Sequence, residues 1–194
     1  MASRRTTRRR RLVAFGAVAA LLVAAIAILA SAGVFDKAIK ELTLPLRHDD
    51  IIRQQAREKG VDAALIAAVI YSESKFADQT SSAGARGLMQ ITPAAAKFIE
   101  KQSGGTTFKL SDLSDPEINI RYGTFLLKEL LERYEGDEVA ALAAYNAGPG
   151  NADRWGGSRM RVEDIPFPET RAYVEEVLEK QKAYRESYAK ELGY

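Results

Sequence analysis

Proline and glycine punctuate this chain at regular intervals, and they do so in the order that helices demand. Thr92-Pro93 and Asp115-Pro116 each offer a hydroxyl or carboxylate cap followed by proline at the first helical position, where its missing N–H costs nothing. Gly60, Gly104-Gly105, Gly136 and Gly148-Pro149-Gly150 supply the stops. Between these marks the apolar residues recur at helical spacing. Ile51, Ile52 and Ala56 stripe "DDIIRQQAREKG"; Asp62 caps "AALIAAVIYSES", with Ile66, Val69 and Ile70 in line; and "EINIRYGTFLLKELLERY" sets Ile118, Tyr122, Phe125, Leu126 and Leu130 on one side. A terminal helix from about Thr170 to Leu192 carries Tyr173, Val177, Tyr184 and Tyr188 as a docking stripe. No segment alternates with the period of a strand. The sequence therefore specifies an all-α domain.

Length and charge narrow the functional classes. A chain of 194 residues with 46% hydrophobic content suits one globular domain and an appendage. Six arginines, between Arg4 and Arg11, precede the first acidic residue, Asp36; setting those six aside from 28 basic residues leaves 22 against 26 acidic ones. The body is mildly acidic, which excludes a nucleic-acid partner bound through a basic face. Absence of cysteine removes disulfides, thiolate nucleophiles and Cys-type zinc sites together. The single histidine, His48, lies in a polar stretch away from every motif, so neither a metal site nor a Ser-His-Asp mechanism is expected.

Residues 1–11 form a basic tail, and 12–35 an uncharged run long enough to cross a hydrocarbon core of about 30 Å as a helix. The positive-inside rule leaves the arginines in the cytoplasm and sends everything after Phe35 outside. Ala30-Ser31-Ala32 resembles a signal-peptidase site, so a segment cleaved after Ala32 and a secreted product is the alternative; the length of the run favours a retained, single-pass anchor in the cytoplasmic membrane. Residues 36–48, with Pro45, read as a short linker, and 49–194 as the working domain.

Chemistry gathers around Glu73. Counted along its helix, Glu73 shares a face with Ile66, Val69 and Ile70 and so points toward the core, where desolvation raises a carboxyl pKa and suits a general acid. A frayed helix end turned toward water is the competing placement. The loop "SSAGARGLMQ" brings small residues, then the amide of Gln90 beside Met89; "AAYNAGPG" ends a later helix with a phenol, Tyr145, and an amide, Asn146. Each has a structural alternative: Met89 as core filler, Tyr145 as a half-buried core tyrosine, Asn146 as a helix cap. A phenol and an amide together offer the stacking face and hydrogen-bond donors that suit a sugar, so a non-catalytic glycan-binding scaffold is the rival from another class.

Taken in order, "ES-K-F", "SSAGARGLMQITP", "DPEINIRYG", "AYNAGPG" and "IPFPETRAYV" resemble the motif set of the soluble lytic transglycosylase (SLT) family, over about 51–177. That resemblance implies a lysozyme-like helical fold acting on peptidoglycan glycan strands without cofactor or metal. It further implies that Glu73 is the single catalytic acid, that Ser81, Gln90 and Met89 of the loop and Tyr145 and Asn146 contact substrate, and that Glu169 lies near the sugar subsites. The reaction implied is non-hydrolytic cleavage of the MurNAc-β-1,4-GlcNAc bond to leave 1,6-anhydroMurNAc ends. A hydrolytic muramidase using the same acid is the near alternative, and the sequence names no protein partner.

Overall fold

The computed structural model describes residues 33–103 and 109–194, with scattered residues between 15 and 30. The basic tail and most of the apolar run 12–35 lie outside that set. Among the described residues no helix is long and apolar enough to cross a membrane. Two compact units are present, one ending at Leu44 and one spanning Pro45–Tyr194. Within the first, α1 (Val34–Thr43) follows Gly33, whose φ of 66° suits glycine. The stretch 36–48, read above as linker, is thus helical as far as Thr43.

The second unit is built of helices, and among its described residues no strand forms. Its elements are α2 (Asp49–Lys59), α3 (Ala63–Ser74), α4 (Pro93–Ser103), α5 (Pro116–Arg133), α6 (Glu138–Ala147), α7 (Pro149–Trp155), α8 (Pro168–Ser187) and α9 (Ala189–Leu192). Short 3-10 turns occupy Leu110–Ser114, Gly157–Arg159 and Val162–Asp164. The punctuation works as the sequence implies. Asp62 Oδ1 accepts from Leu65 N at 2.8 Å, Thr92 Oγ1 from Ala95 N at 3.1 Å, and Asp115 Oδ1 from Glu117 N and Ile118 N at 2.9 and 3.1 Å. Gly60 ends α2 in the left-handed conformation.

At the centre lies α3. Every residue from Ala63 to Ile70 is buried, with Ile66, Val69 and Ile70 at 0% exposure. The helix is therefore surrounded, and the single core-facing stripe read from its sequence is corrected to burial on all sides. Periodicity cannot choose a face for a helix that is apolar all round. Burial of Leu65, Ile66 and Ile70 contributes about 1.5–3 kcal/mol each. Along α3 runs α8, the most extensively packed helix pair among the described residues, and α6 packs on α8 with its alanines 140, 141, 143 and 144 buried.

Two further corrections concern faces and ends. The buried face of α5 runs through Asn119, Ile120, Tyr122, Gly123, Thr124, Leu127 and Leu130, whereas Ile118, Phe125 and Leu126 are only half-buried. α5 packs on α2, α4 and α6, and an amide and a glycine, Asn119 and Gly123, occupy its face where it meets the loop at Arg86 and Met89. The terminal helix breaks at Tyr188, where φ is −133° and ψ 31°, so α8 and the short α9 replace one continuous rod. Its stripe does dock: Val177 and Tyr184 are fully buried, Tyr173 and Tyr188 nearly so.

Candidate active site

Glu73 occupies the last turn of α3, where burial gives way. It is half-buried, one position before Ser74, whose hydroxyl lies 2.7 Å from Leu88 O and 3.1 Å from Ile70 O. A hydroxyl carries one hydrogen, and the shorter contact makes the stronger bond. Ser74 thus ties the end of α3 to the loop that follows. Beyond it Lys75 and Phe76 both adopt left-handed φ values, 52° and 63°. That conformation is costly for a bulky side chain. It is held because Phe76 is buried against Tyr184, with ring centroids 6.2 Å apart. The chain turns sharply at that point, which leaves the Glu73 side chain at the helix terminus and not in mid-core.

Residues 77–92 fold back on that terminus without forming a strand. Arg86 makes isolated bridges to Thr80 and Ile91, and Gln79 gathers three contacts: its amide donates to Glu73 O at 3.1 Å, while its carbonyl accepts from Gly87 N at 2.9 Å and from Gln90 Nε2 at 3.1 Å. Gln90 donates also to Gly87 O at 2.8 Å. Its amide nitrogen therefore staples the loop. Ser81 Oγ accepts from Ala85 N at 3.1 Å. Among the described residues its hydroxyl hydrogen meets no acceptor.

Behind the loop a fully buried amide fixes its path. Asn119 Oδ1 accepts from Met89 N at 2.8 Å, and its Nδ2 donates to Arg86 O and Leu113 O, each at 2.9 Å. One side chain thus bonds three backbone groups from two separate segments, adding to the bond that Arg86 O already accepts from Ile91 N at 3.0 Å. Glycine is needed at two places nearby. A Cβ on Gly87, whose φ is 73°, would stand 2.1 Å from Asn119 Nδ2; one on Gly123 would stand 2.3 Å from Met89 Sδ. Met89 itself is at 0% exposure, its thioether laid over Gly123. Its side chain is core, as the packing alternative held.

Two phenols close on Glu73. Tyr145, at the end of α6, donates to Met89 O at 2.8 Å. Tyr173, from α8, has a buried hydroxyl with no hydrogen bond of good geometry, yet it acts on the Glu73 carboxyl as a hydrogen-bonding neighbour. Burial pushes the Glu73 carboxyl from 4.5 up to about 7, with Tyr173 pulling weakly the other way. Burial, and then the charge of Glu73, holds both tyrosines well above their ordinary pKa. Among the described residues no other acidic group contributes to the shift at Glu73. The arrangement is a lone carboxyl, partly protonated at neutral pH, beside two neutral phenols.

The remaining wall joins α6 to α8. Asn146, which is exposed, accepts from the buried Thr170 Oγ1 at 2.8 Å, and this bond brings the start of α8, with exposed Glu169 in its first turn, alongside the end of α6. A groove of about 580 Å³ opens at Tyr145 and Asn146 and runs past Phe98, Leu126 and Leu130 to Arg133. Glu73, Met89 and Tyr145 are thus linked through a bond or direct electrostatic contact, and Asn146, next to Tyr145 in sequence, bonds to Thr170. Ser81, Gln90 and Glu169 stand around them, with no bond to Glu73 among the described residues. Tyr173, Thr170 and Asn119 went unread as site residues, although Tyr173 and Thr170 lie within PETRAYV and Asn119 within DPEINIRYG. Among the described residues no group of three or more His, Cys, Asp or Glu could hold a metal.

The family model for the transglycosylase SLT domain matches residues 50–167. This chain belongs to the SLT family. The chain is 36% identical over 154 residues to the soluble lytic murein transglycosylase of Salmonella typhimurium, covering 75% of this chain and 24% of that protein. The 70 kDa soluble lytic transglycosylase of Escherichia coli superposes with a TM-score of 0.71 at 35% identity, over 75% of this chain and 25% of the other. A membrane-bound lytic murein transglycosylase C from Edwardsiella ictaluri is 33% identical over 165 residues, 70% of this chain and 46% of that protein. This SLT chain spans about a quarter of the length of the soluble relatives it matches.

Proposed function

We propose that this chain is a peptidoglycan lytic transglycosylase in which Glu73 serves first as general acid and then as general base. The setting of Glu73 carries the reading: one half-buried carboxyl, raised to about 7, with no second carboxylate acting on it. An ordinary glycosidase divides its work between two carboxyl groups. A site with one can still cleave a glycosidic bond if the substrate supplies the nucleophile. Protonated Glu73 donates to the oxygen between MurNAc and GlcNAc. The N-acetyl oxygen of MurNAc attacks its own anomeric carbon as the C1–O bond breaks. Ionised Glu73 then takes the proton of the MurNAc 6-hydroxyl, whose oxygen displaces the acetamido oxygen at C1 and closes a 1,6-anhydro ring.

Neither step calls for a metal or cofactor. Tyr145 and the free hydrogen of Ser81 orient the reacting sugar; Gln90, Asn146 and Glu169 border the glycan path; Met89 acts from behind, through the carbonyl that fixes Tyr145. Names of the soluble relatives support this substrate and bond. We assign the apolar segment 12–35 as a membrane anchor that holds the domain 49–194 on the outer face of the cytoplasmic membrane, or releases it there if cut after Ala32; the membrane-bound relative supports an anchored form. Peptidoglycan lies on that side.

Incubating the full chain with purified sacculi tests the proposal by mass spectrometry. The reading predicts muropeptides ~18 Da lighter than hydrolysis gives, the mass of one omitted water. Reducing ends would instead identify a hydrolytic muramidase, and binding without release would identify a scaffold.

A further inference from the structure

The aromatic pair formed by Trp155 and Phe167 is unused by the chemistry above. Trp155 ends α7, the helix that begins immediately after the YNAG turn, and Phe167 precedes α8 by one residue. Their ring centroids are 4.9 Å apart at an interplanar angle of 72°, an edge-to-face contact. Phe167 nevertheless keeps 49% of its surface exposed, and Trp155 is half-exposed.

That exposure is held rigidly. Prolines 166 and 168 flank Phe167 and restrict the backbone on both sides. The Arg171 guanidinium clamps the segment from below, donating to Ile165 O from Nη2 at 2.6 Å and from Nε at 3.1 Å, and Ile165 is fully buried. On the Trp155 side, a Cβ at Gly157 would meet nothing within 4 Å. An aromatic ring fixed in the open forfeits hydrophobic burial and gives up the freedom to fold away. Such presentation is pre-organised for a ligand.

Its surroundings indicate which ligand. Between residues 153 and 171 four arginines stand against four carboxylates, so the segment that carries the platform has no net charge. A membrane surface rich in anionic lipid, or a nucleic acid, would call for net positive charge there. A neutral pyranose ring calls for an aromatic face and a mixed polar rim. The platform is also tethered to the site, because the Thr170–Asn146 bond joins the start of α8, three residues after Phe167, to the YNAG turn. We propose that Trp155 and Phe167 form a stacking subsite for an N-acetylhexosamine ring of the glycan strand, outside the reacting pair. The inference rests on a glycan being the substrate and adds residues and a surface to that reading.

Trp155 is the one tryptophan of the sequence, so its emission reports the platform directly. The full chain carrying Glu73→Gln, which blocks turnover, is titrated with peptide-free glycan strands and with chitotetraose, and binding is followed in parallel by co-sedimentation. Expected are a saturable change in Trp155 emission and a Kd raised about three- to tenfold by Phe167→Ala. Phe167→Leu, which keeps apolar volume without a ring, gives the same loss if the fold is intact by circular dichroism, and Phe167→Tyr restores the affinity. Strands that fail to bind, strands bound with unchanged emission, an unchanged Kd in Phe167→Leu, or emission that responds only to vesicles of anionic phosphatidylglycerol would each overturn the proposal. The two readings fail separately: release of anhydro ends with no loss in Phe167→Leu removes the platform alone, whereas the optical change without anhydro release from wild-type chain removes the transglycosylase alone.

Discussion

Tyr145 donates its phenolic hydrogen to the carbonyl oxygen of Met89 at 2.8 Å, and through that bond the end of α6 holds the loop that closes over Glu73. Neither residue acts alone. Met89 is anchored by Asn119 through its N–H and by Gly123 beneath its sulfur, so the phenol beside the acid is fixed by a chain of contacts reaching into α5.

Replacing Glu73 by Gln should slow turnover severely and stabilise the fold in neutral solution. Loss of the general acid lowers the release rate by about 10²- to 10⁴-fold. Glu73 titrates near 7 in the folded chain and near 4.5 when unfolded, so the folded state holds the extra proton between those values. Stability therefore falls as pH rises through that window, and the penalty is complete above it, at most ~3 kcal/mol. Chemical denaturation should show the Gln variant equal to wild type near pH 4 and more stable near pH 8.

Tyr173→Phe removes the hydroxyl that pulls the Glu73 pKa down. Protonated Glu73 starts the reaction, so the rate declines as pH passes through about 7. In the Phe variant that decline should shift to higher pH, with little change in unfolding free energy, since Tyr173 Oη has no well-formed bond to lose. A pH–rate profile reads the shift directly.

How much of this was legible in the sequence depended on the physics of each element. Caps and stops were readable at Asp62, Thr92, Asp115 and Gly60, because their signals are local. The burial of α3 was not, since a helix apolar on every side has no preferred face. Glu73 was placed from a stripe, yet what positions it is the end of that helix and the strained Lys75–Phe76 turn. Asn119 sat on the buried face of α5 while the apolar pattern pointed to Ile118 and Phe125; a polar residue that satisfies a loop's backbone leaves no hydrophobic trace. Tyr173 was read only as docking surface, its second role being visible once α8 lay along α3.

Gly123→Ala should cost about 1–3 kcal/mol, because its new methyl would displace the Met89 thioether. Met89→Ala leaves a cavity and costs about 2–5 kcal/mol. Combined, the two changes should cost less than their sum, since each relieves the other. A double-mutant cycle in urea measures the coupling, and strict additivity would show that the two side chains do not meet.

Thr170→Val keeps shape and removes the donor to Asn146. The expected stability loss is about 1 kcal/mol. With the amide released, KM for glycan strands should rise several-fold while the pH of half-maximal rate stays unchanged. A shift in that pH would assign Thr170 to the acid and not to the sugar wall.

The central claim is that one carboxyl at position 73 is neutral for much of its time near neutral pH, and its titration tests this most directly. With glutamate labelled at the side-chain carboxyl carbon, the resonance missing from Glu73→Gln identifies residue 73. Its chemical shift should change with a midpoint near 7 in the folded full chain. A midpoint at 4.5, the value of an ordinary solvated glutamate, would contradict the account.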